Sequence, residues 1–295
     1  MNESLVVTKS NKLVEASYRL NVSEQRVMAL LVTQIQPDDH DFKPYRFRVA
    51  ELDKLISDQP RTNKRLHSQV RALTRNLQEK VLQIEEPDGL LQVSWLCAAK
   101  YFDGEGEVEL DFSPRLKPYL LQLKERFTSY KLRYVVKLRS RYSVRLYELL
   151  KQYELLGKRS FELEELRRIL GLVEGEYATW FDFKRNVLEP ALRELPQKTD
   201  IGFNYTVRKR GRAVAFVDFK IWAIDTEPKK KASKKKAAKS KSPSQQAEQC
   251  YREKNYGAAC ELQDLDAFAT LSKQLQAVCH ECANYRTALE DAGAA

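Results

Sequence analysis

Phe183-Lys184-Arg185-Asn186-Val187-Leu188-Glu189-Pro190-Ala191-Leu192-Arg193, with the basic stretch Arg208-Lys209-Arg210-Gly211-Arg212 that follows it, decides how this chain is read. Phe183, Val187, Leu188, Ala191, Leu192 and Leu195 recur at helical spacing, which leaves Lys184, Arg185, Asn186 and Arg193 on the opposite, solvent-facing side. Two alternating segments, 201–207 and 213–221, come next, and Gly211 gives their cationic connection the backbone freedom of a tight turn. A helix with one apolar and one basic face, followed at once by a basic hairpin, is the sequence pattern of a winged helix that grips DNA. Pro190 interrupts the helical stripe and removes one backbone hydrogen bond, so the sequence predicts a bend there.

The unit occurs twice. Phe47-Arg48-Val49-Ala50-Glu51-Leu52-Asp53-Lys54-Leu55-Ile56 returns as Phe161-Glu162-Leu163-Glu164-Glu165-Leu166-Arg167-Arg168-Ile169-Leu170, at a constant offset of 114 positions. In the first copy Asn21 and Ser23 are candidate caps for a helix carrying Val27, Leu30, Leu31 and Ile35, and Pro37-Asp38-Asp39 ends it. A strand over 45–49, a helix over 50–57 and a second helix from about Thr62 follow. That second helix turns Leu66, Val70, Leu73 and Leu77 inward and Lys64, Arg65, Arg71 and Arg75 outward. The hairpin reads as strands 90–101 and 107–112 around Asp103-Gly104-Glu105-Gly106, an acidic tip unsuited to clamping phosphate. In the second copy residues 140–153 form a helix stopped by Gly157, and 164–170 form the next one, ending at Gly171. The fold class is therefore α+β, two tandem winged helices: residues 5–128, and residues 129–225 as the main DNA-binding unit. A basic, disordered linker over 226–257 and an amphipathic helix over 258–291 come after them.

Charge placement agrees with this division. Over residues 1–129, Lys and Arg number nineteen against nineteen Asp and Glu, whereas residues 130–225 hold twenty against thirteen. An uneven cationic surface of this kind concentrates a polyanion and makes its binding salt-dependent through counterion release. Residues 228–244 hold eight lysines among Ala, Ser and Pro, the composition of a tether that adds non-specific attraction to DNA. No apolar run approaches membrane-spanning length and no secretory leader opens the chain, so a cytoplasmic protein without membrane contact is expected.

Phe127-Thr128-Ser129-Tyr130-Lys131-Leu132, continuing through Val136-Lys137-Leu138-Arg139-Ser140-Arg141-Tyr142-Ser143-Val144-Arg145-Leu146-Tyr147-Glu148-Leu149-Leu150-Lys151-Gln152-Tyr153, resembles the domain-joining segment of iteron-binding plasmid replication initiators of the RepE and Pi type. Residues 183–191 look like their second-domain recognition helix, proline included; 209–214 look like their basic wing, and 18–31 like the start of their first domain. The resemblance covers about residues 5–221. It implies two related winged helices and binding of direct repeats in double-stranded DNA at a plasmid origin as a monomer. It also implies melting of adjacent AT-rich DNA and recruitment of the host initiator and helicase. A homodimer formed through the first domain would repress the protein's own gene, and host chaperones would convert it to monomer. The extension after Asp225 departs from the two-domain pattern.

From the residues, Lys184, Arg185, Asn186 and Arg193 are candidates for the major groove and Lys209, Arg210 and Arg212 for phosphate clamps, while Lys64, Arg65, Arg71 and Arg75 are either a second contact or a solvated face. Cys279-His280-Glu281-Cys282, with Cys250 and Cys260, is a weak zinc pattern, because a lone Cys-x-x-Cys has no second pair at regular spacing. Neither metal nor cofactor is expected. Gly157-Lys158-Arg159-Ser160 is no phosphate loop, since Gln152 stands where its first glycine belongs. The histidines, His40, His67 and His280, are too scattered to support a nickase. A non-enzymatic initiator is the leading reading; a winged-helix transcriptional regulator without initiator activity is the alternative.

Overall fold

The computed structural model describes residues 5–56, 63–102 and 104–225. The expected linker and C-terminal helix, with their four cysteines, lie outside the described residues. Within them β1 (Val6–Ser10) runs antiparallel to β7 (Phe127–Lys131), tying the start of the chain to the segment that joins the two copies. Residue 128, where the sequence reading divides the chain, lies inside β7. Ser10 caps α1 (Asn11–Glu15) through its hydroxyl, which accepts from the Leu13 N–H. Asn21 caps α2 (Val22–Val32): its side chain accepts from the Glu24 N–H at 2.9 Å and the Glu24 carboxylate accepts from the Asn21 N–H at 2.7 Å. Glu24 is buried and also takes the Lys80 ammonium at 2.6 Å, so this cap anchors the chain just after the helix Asn63–Glu79 as well. The helix stops at Val32, leaving Ile35 beyond it.

The repeated decapeptide folds the same way twice. β2 (Tyr45–Arg48) leads into α3 (Val49–Ile56), and β8 (Lys158–Glu162) into α8 (Leu163–Ile169). Phe47 and Phe161, Leu52 and Leu166, and Leu55 and Ile169 are buried at matching positions. Helix α4 (Asn63–Glu79) buries Val70, Leu73 and Leu77.

One strand of the sequence reading is corrected here. Residues 90–101 form two strands, β4 (Gly89–Ser94) and β5 (Leu96–Phe102), and β4 folds back on β3 (Val81–Glu86) in a separate hairpin. The break falls at Trp95, which is buried with its ring 5.0 Å from Tyr18 in an edge contact; this anchor redirects the chain. β5 then pairs with β6 (Glu107–Phe112) and β6 with β2. A 3₁₀ turn (Pro114–Leu116), α5 (Lys117–Leu120), β7 and α6 (Leu132–Lys137) lead to α7 (Arg141–Lys151), capped by the Ser140 hydroxyl. The first three-stranded sheet has the order β2-β6-β5; the second, completed by β9 (Ile201–Arg210) and β10 (Ala213–Ala223), has the order β8-β10-β9. In both, the last strand of the copy lies in the middle. Two winged helices of one topology are the result.

A buried polar cluster joins the copies. Glu148 on α7 accepts from Lys9 at 2.7 Å, Arg145 at 3.0 Å, Tyr18 at 3.2 Å and Tyr130. Arg145, whose guanidinium lies 3.8 Å from the centre of the Tyr18 ring, also donates to the carbonyls of Val14, Ala16 and Ile169. Burial opposes ionisation of Glu148, but the charges of Lys9 and Arg145 and the bonds from Lys9 and Tyr130 outweigh it and hold its pKa at about 2. Gly171 closes the joint: at φ +67 it sits so near the first copy that a Cβ would lie 2.2 Å from the Tyr18 carbonyl oxygen.

Candidate nucleic-acid interface

Thr179 starts the second copy's long helix by accepting the Asp182 N–H on its hydroxyl. The helix then runs without interruption through α9 (Trp180–Phe183), a π-helical turn (Lys184–Leu188) and α10 (Glu189–Lys198). Immediately before Pro190, where the sequence predicts a bend, the structure has this π turn. The Glu189 N–H reaches back five residues to the Lys184 carbonyl, a wider loop placed immediately before the residue that has no N–H to donate. A further proline, Pro196, sits inside α10. Phe183, Val187, Leu188, Ala191 and Leu195 are buried and Leu192 partly so, which fixes the opposite face outward.

On that outward face Arg185 and Arg193 are exposed, and among the described residues no acid pairs with either. Lys184 is half-buried with its ammonium 3.9 Å from the Glu189 carboxylate. Asn186 is also half-buried, and its amide donates to the Asp182 carbonyl at 2.9 Å, so one of its two amide hydrogens is engaged by its own helix.

The wing is longer than the sequence predicts. β9 and β10 stay paired as far as Arg210 and Ala213, so the turn is only Gly211-Arg212, with Gly211 at φ +64, and Arg208, Lys209 and Arg210 stand on a strand rather than in the loop. The cationic run could extend the ladder because a tip projecting into water imposes no apolar alternation. Arg208 is consumed within the hairpin: it grips Asp218 at 2.7 and 3.1 Å and Ser160 at 2.9 Å and lies over Phe216, and this bond holds the Asp218 carboxyl below its usual range. Lys209, Arg210 and Arg212 are exposed without an acidic partner among the described residues; Arg210 rests 5.9 Å from the Phe216 ring centre.

The first copy presents a different surface. Lys64 lies in the first turn of α4, and Arg65, Arg71 and Arg75 are exposed along it. Arg71 sits 5.0 Å from the Tyr101 ring centre and borders a cavity of about 290 Å³, lined also by His67, Phe102, Glu105 and Glu107. Carboxylates therefore crowd the groove between this helix and its wing, where the second copy offers free cations. Phe181, which the sequence reading passes over, is 67% exposed at the head of α9. A break in the polar pattern of the outer face was the signal that could have found it.

Two winged helices in tandem, the second with an unpaired basic helix-and-wing surface, define a class of DNA-binding proteins. A family model described as "Initiator Replication protein, WH1" matches residues 6–151, and one described as "Initiator Rep protein, WH2" matches residues 162–221. The chain belongs to the family of initiator replication proteins. It is 27% identical to a replication initiation protein of Escherichia coli over 229 residues, covering 74% of this chain and 69% of that one. It is 32% identical to the PI protein of Escherichia coli over 152 residues, covering 46% of this chain and 49% of the PI protein. The fold is similar to that in the crystal structure of Pi initiator protein in complex with iteron DNA, with a TM-score of 0.62 at 22% identity, over 77% of this chain and 100% of that one. Among the described residues no helix is long and apolar enough to cross a membrane, and no three His, Cys, Asp or Glu are placed to hold a metal ion.

Proposed function

We propose that this initiator acts at a plasmid origin, where monomers bind direct repeats, or iterons, in double-stranded DNA. The helical run from α9 to α10 lies in the major groove with Arg185 and Arg193 as its base readers, Lys184 and Asn186 beside them, and Lys209, Arg210 and Arg212 on the flanking phosphates. The observation that carries this reading is the set of cations left without acidic partners on one helix and one wing, in a fold like that of the Pi initiator, which has been crystallised with iteron DNA. Residues 129–225 supply most of the binding. Residues 5–128 form the homodimer that represses the protein's own gene, and Lys64, Arg65, Arg71 and Arg75 add a weaker DNA contact. Bound monomers open adjacent AT-rich DNA and recruit the host initiator and helicase, after host chaperones have shifted the dimer towards monomer. The action involves no covalent chemistry on DNA and takes place in the cytoplasm. The test is transformation with a circle carrying this gene and its flanking DNA as the sole source of an origin. Autonomous replication that is lost on Arg185→Ala agrees with the proposal; no replication with the wild-type gene contradicts initiation and favours a regulator.

A further inference from the structure

Phe181 is the most exposed large hydrophobic side chain among the described residues, and its place is well defined. The exposed positions of the helical run are Phe181, Arg185, Arg193 and Gln197. Phe181 and Arg185 are four residues apart and so lie on one face, with Phe181 one turn before Arg185. Its backbone is fixed from behind: Trp180 packs 6.0 Å from Phe183 and 6.3 Å from Tyr205 of β9 between ring centres, and Thr179 caps the first turn. The side chain therefore projects from an anchored turn. An apolar ring held out in water, on one face with Arg185 of a groove-binding helix, fits an apolar target inside that groove. In the major groove of B-DNA the apolar group presented by the bases is the thymine C5-methyl.

We propose that Phe181 is a specificity-determining residue that packs against a thymine methyl at the edge of the site read by Arg185. The proposal rests on the groove-binding reading above and adds a base preference to it.

The experiment uses the full chain and the tightest duplex it selects from a randomised pool. Each thymine of that duplex is replaced in turn by deoxyuridine, which removes the methyl and nothing else. Burying one methyl predicts that the wild-type protein loses about fourfold in affinity at one thymine or two adjacent ones. Phe181→Ala should bind the thymine duplex correspondingly more weakly and show no further loss on the deoxyuridine duplex, while Phe181→Leu recovers part of the difference. Melting of each variant, monitored by circular dichroism, establishes that the fold is intact. Wild-type affinity that is indifferent to every methyl, or a methyl effect that survives in Phe181→Ala, overturns the proposal and leaves groove binding standing. A pool that fails to converge on any sequence overturns both.

Discussion

Arg185 and Lys209 carry the same charge but stand in different places, and the difference is measurable. Arg185→Ala should cost about 1 to 3 kcal/mol on the cognate duplex and relax preference at one base pair. Lys209→Ala should weaken all sequences alike and reduce the salt slope by about one. Titration of each variant against cognate and scrambled duplexes at several salt concentrations separates the roles; equal losses on both duplexes for both variants would contradict them. Glu148 tests the joint between the copies. Its folded pKa of about 2 lies below the ordinary 4.5, so its ionised form contributes stability above about pH 4.5 that is lost as pH falls towards 2. Removing the charge by Glu148→Gln leaves Lys9 and Arg145 buried without an anion and should cost about 3 to 5 kcal/mol at neutral pH, with a flatter acid limb in melting experiments. A variant as stable as the wild type would show the cluster to be dispensable. The sequence marks Arg185 because exposure of a charge follows from the apolar stripe behind it, and Lys209 because it stands in a cationic run beside Gly211. Glu148 escapes such reading: its partners Lys9, Tyr18 and Tyr130 are distant in sequence, and only the folded topology brings them to it.

The helical run from Trp180 to Lys198 shows how far a periodicity argument reaches. Its buried set and the presence of an irregularity beside Pro190 are both legible, but the form of the irregularity is not, because Phe183, Val187, Leu188, Ala191 and Leu195 are equally compatible with a smooth helix and with one widened by a π turn. The turn changes the angle between Arg185, which lies within it, and Arg193 behind it. Pro190→Ala restores the missing N–H and allows an ordinary helix, so the variant should melt no lower than the wild type yet bind its cognate duplex more weakly. Unchanged affinity would mean that the π turn does not set the register of the two arginines. The hairpin of β3 and β4 was only partly legible. Pro87-Asp88-Gly89 at its tip is a turn signal that marks it, but the change of direction at Trp95 depends on burial against Tyr18, which local sequence does not reveal. The tandem winged helix, by contrast, was legible because the repeat of 47–56 in 161–170 places the same buried side chains in the same strand and helix twice.

Across the two copies the topology is shared and the electrostatics are not. One wing ends in Glu105 and Glu107 beside Arg71, the other in Lys209, Arg210 and Arg212. The second copy should therefore dominate the salt dependence of binding. Replacing Lys209, Arg210 and Arg212 together by alanine should reduce the slope of log affinity against log salt by nearly three, whereas replacing Arg65 and Arg75 should change it less; the reverse order would assign the main contact to the first copy. Hydrogen exchange of the full chain, with and without its selected duplex, tests the central claim most directly. Protection should appear on DNA binding in the helical run from Trp180 to Lys198 and in the paired strands around Gly211. Protection confined to α4 and the first wing, or absent from both helix-and-wing surfaces while the DNA is bound, would contradict the account.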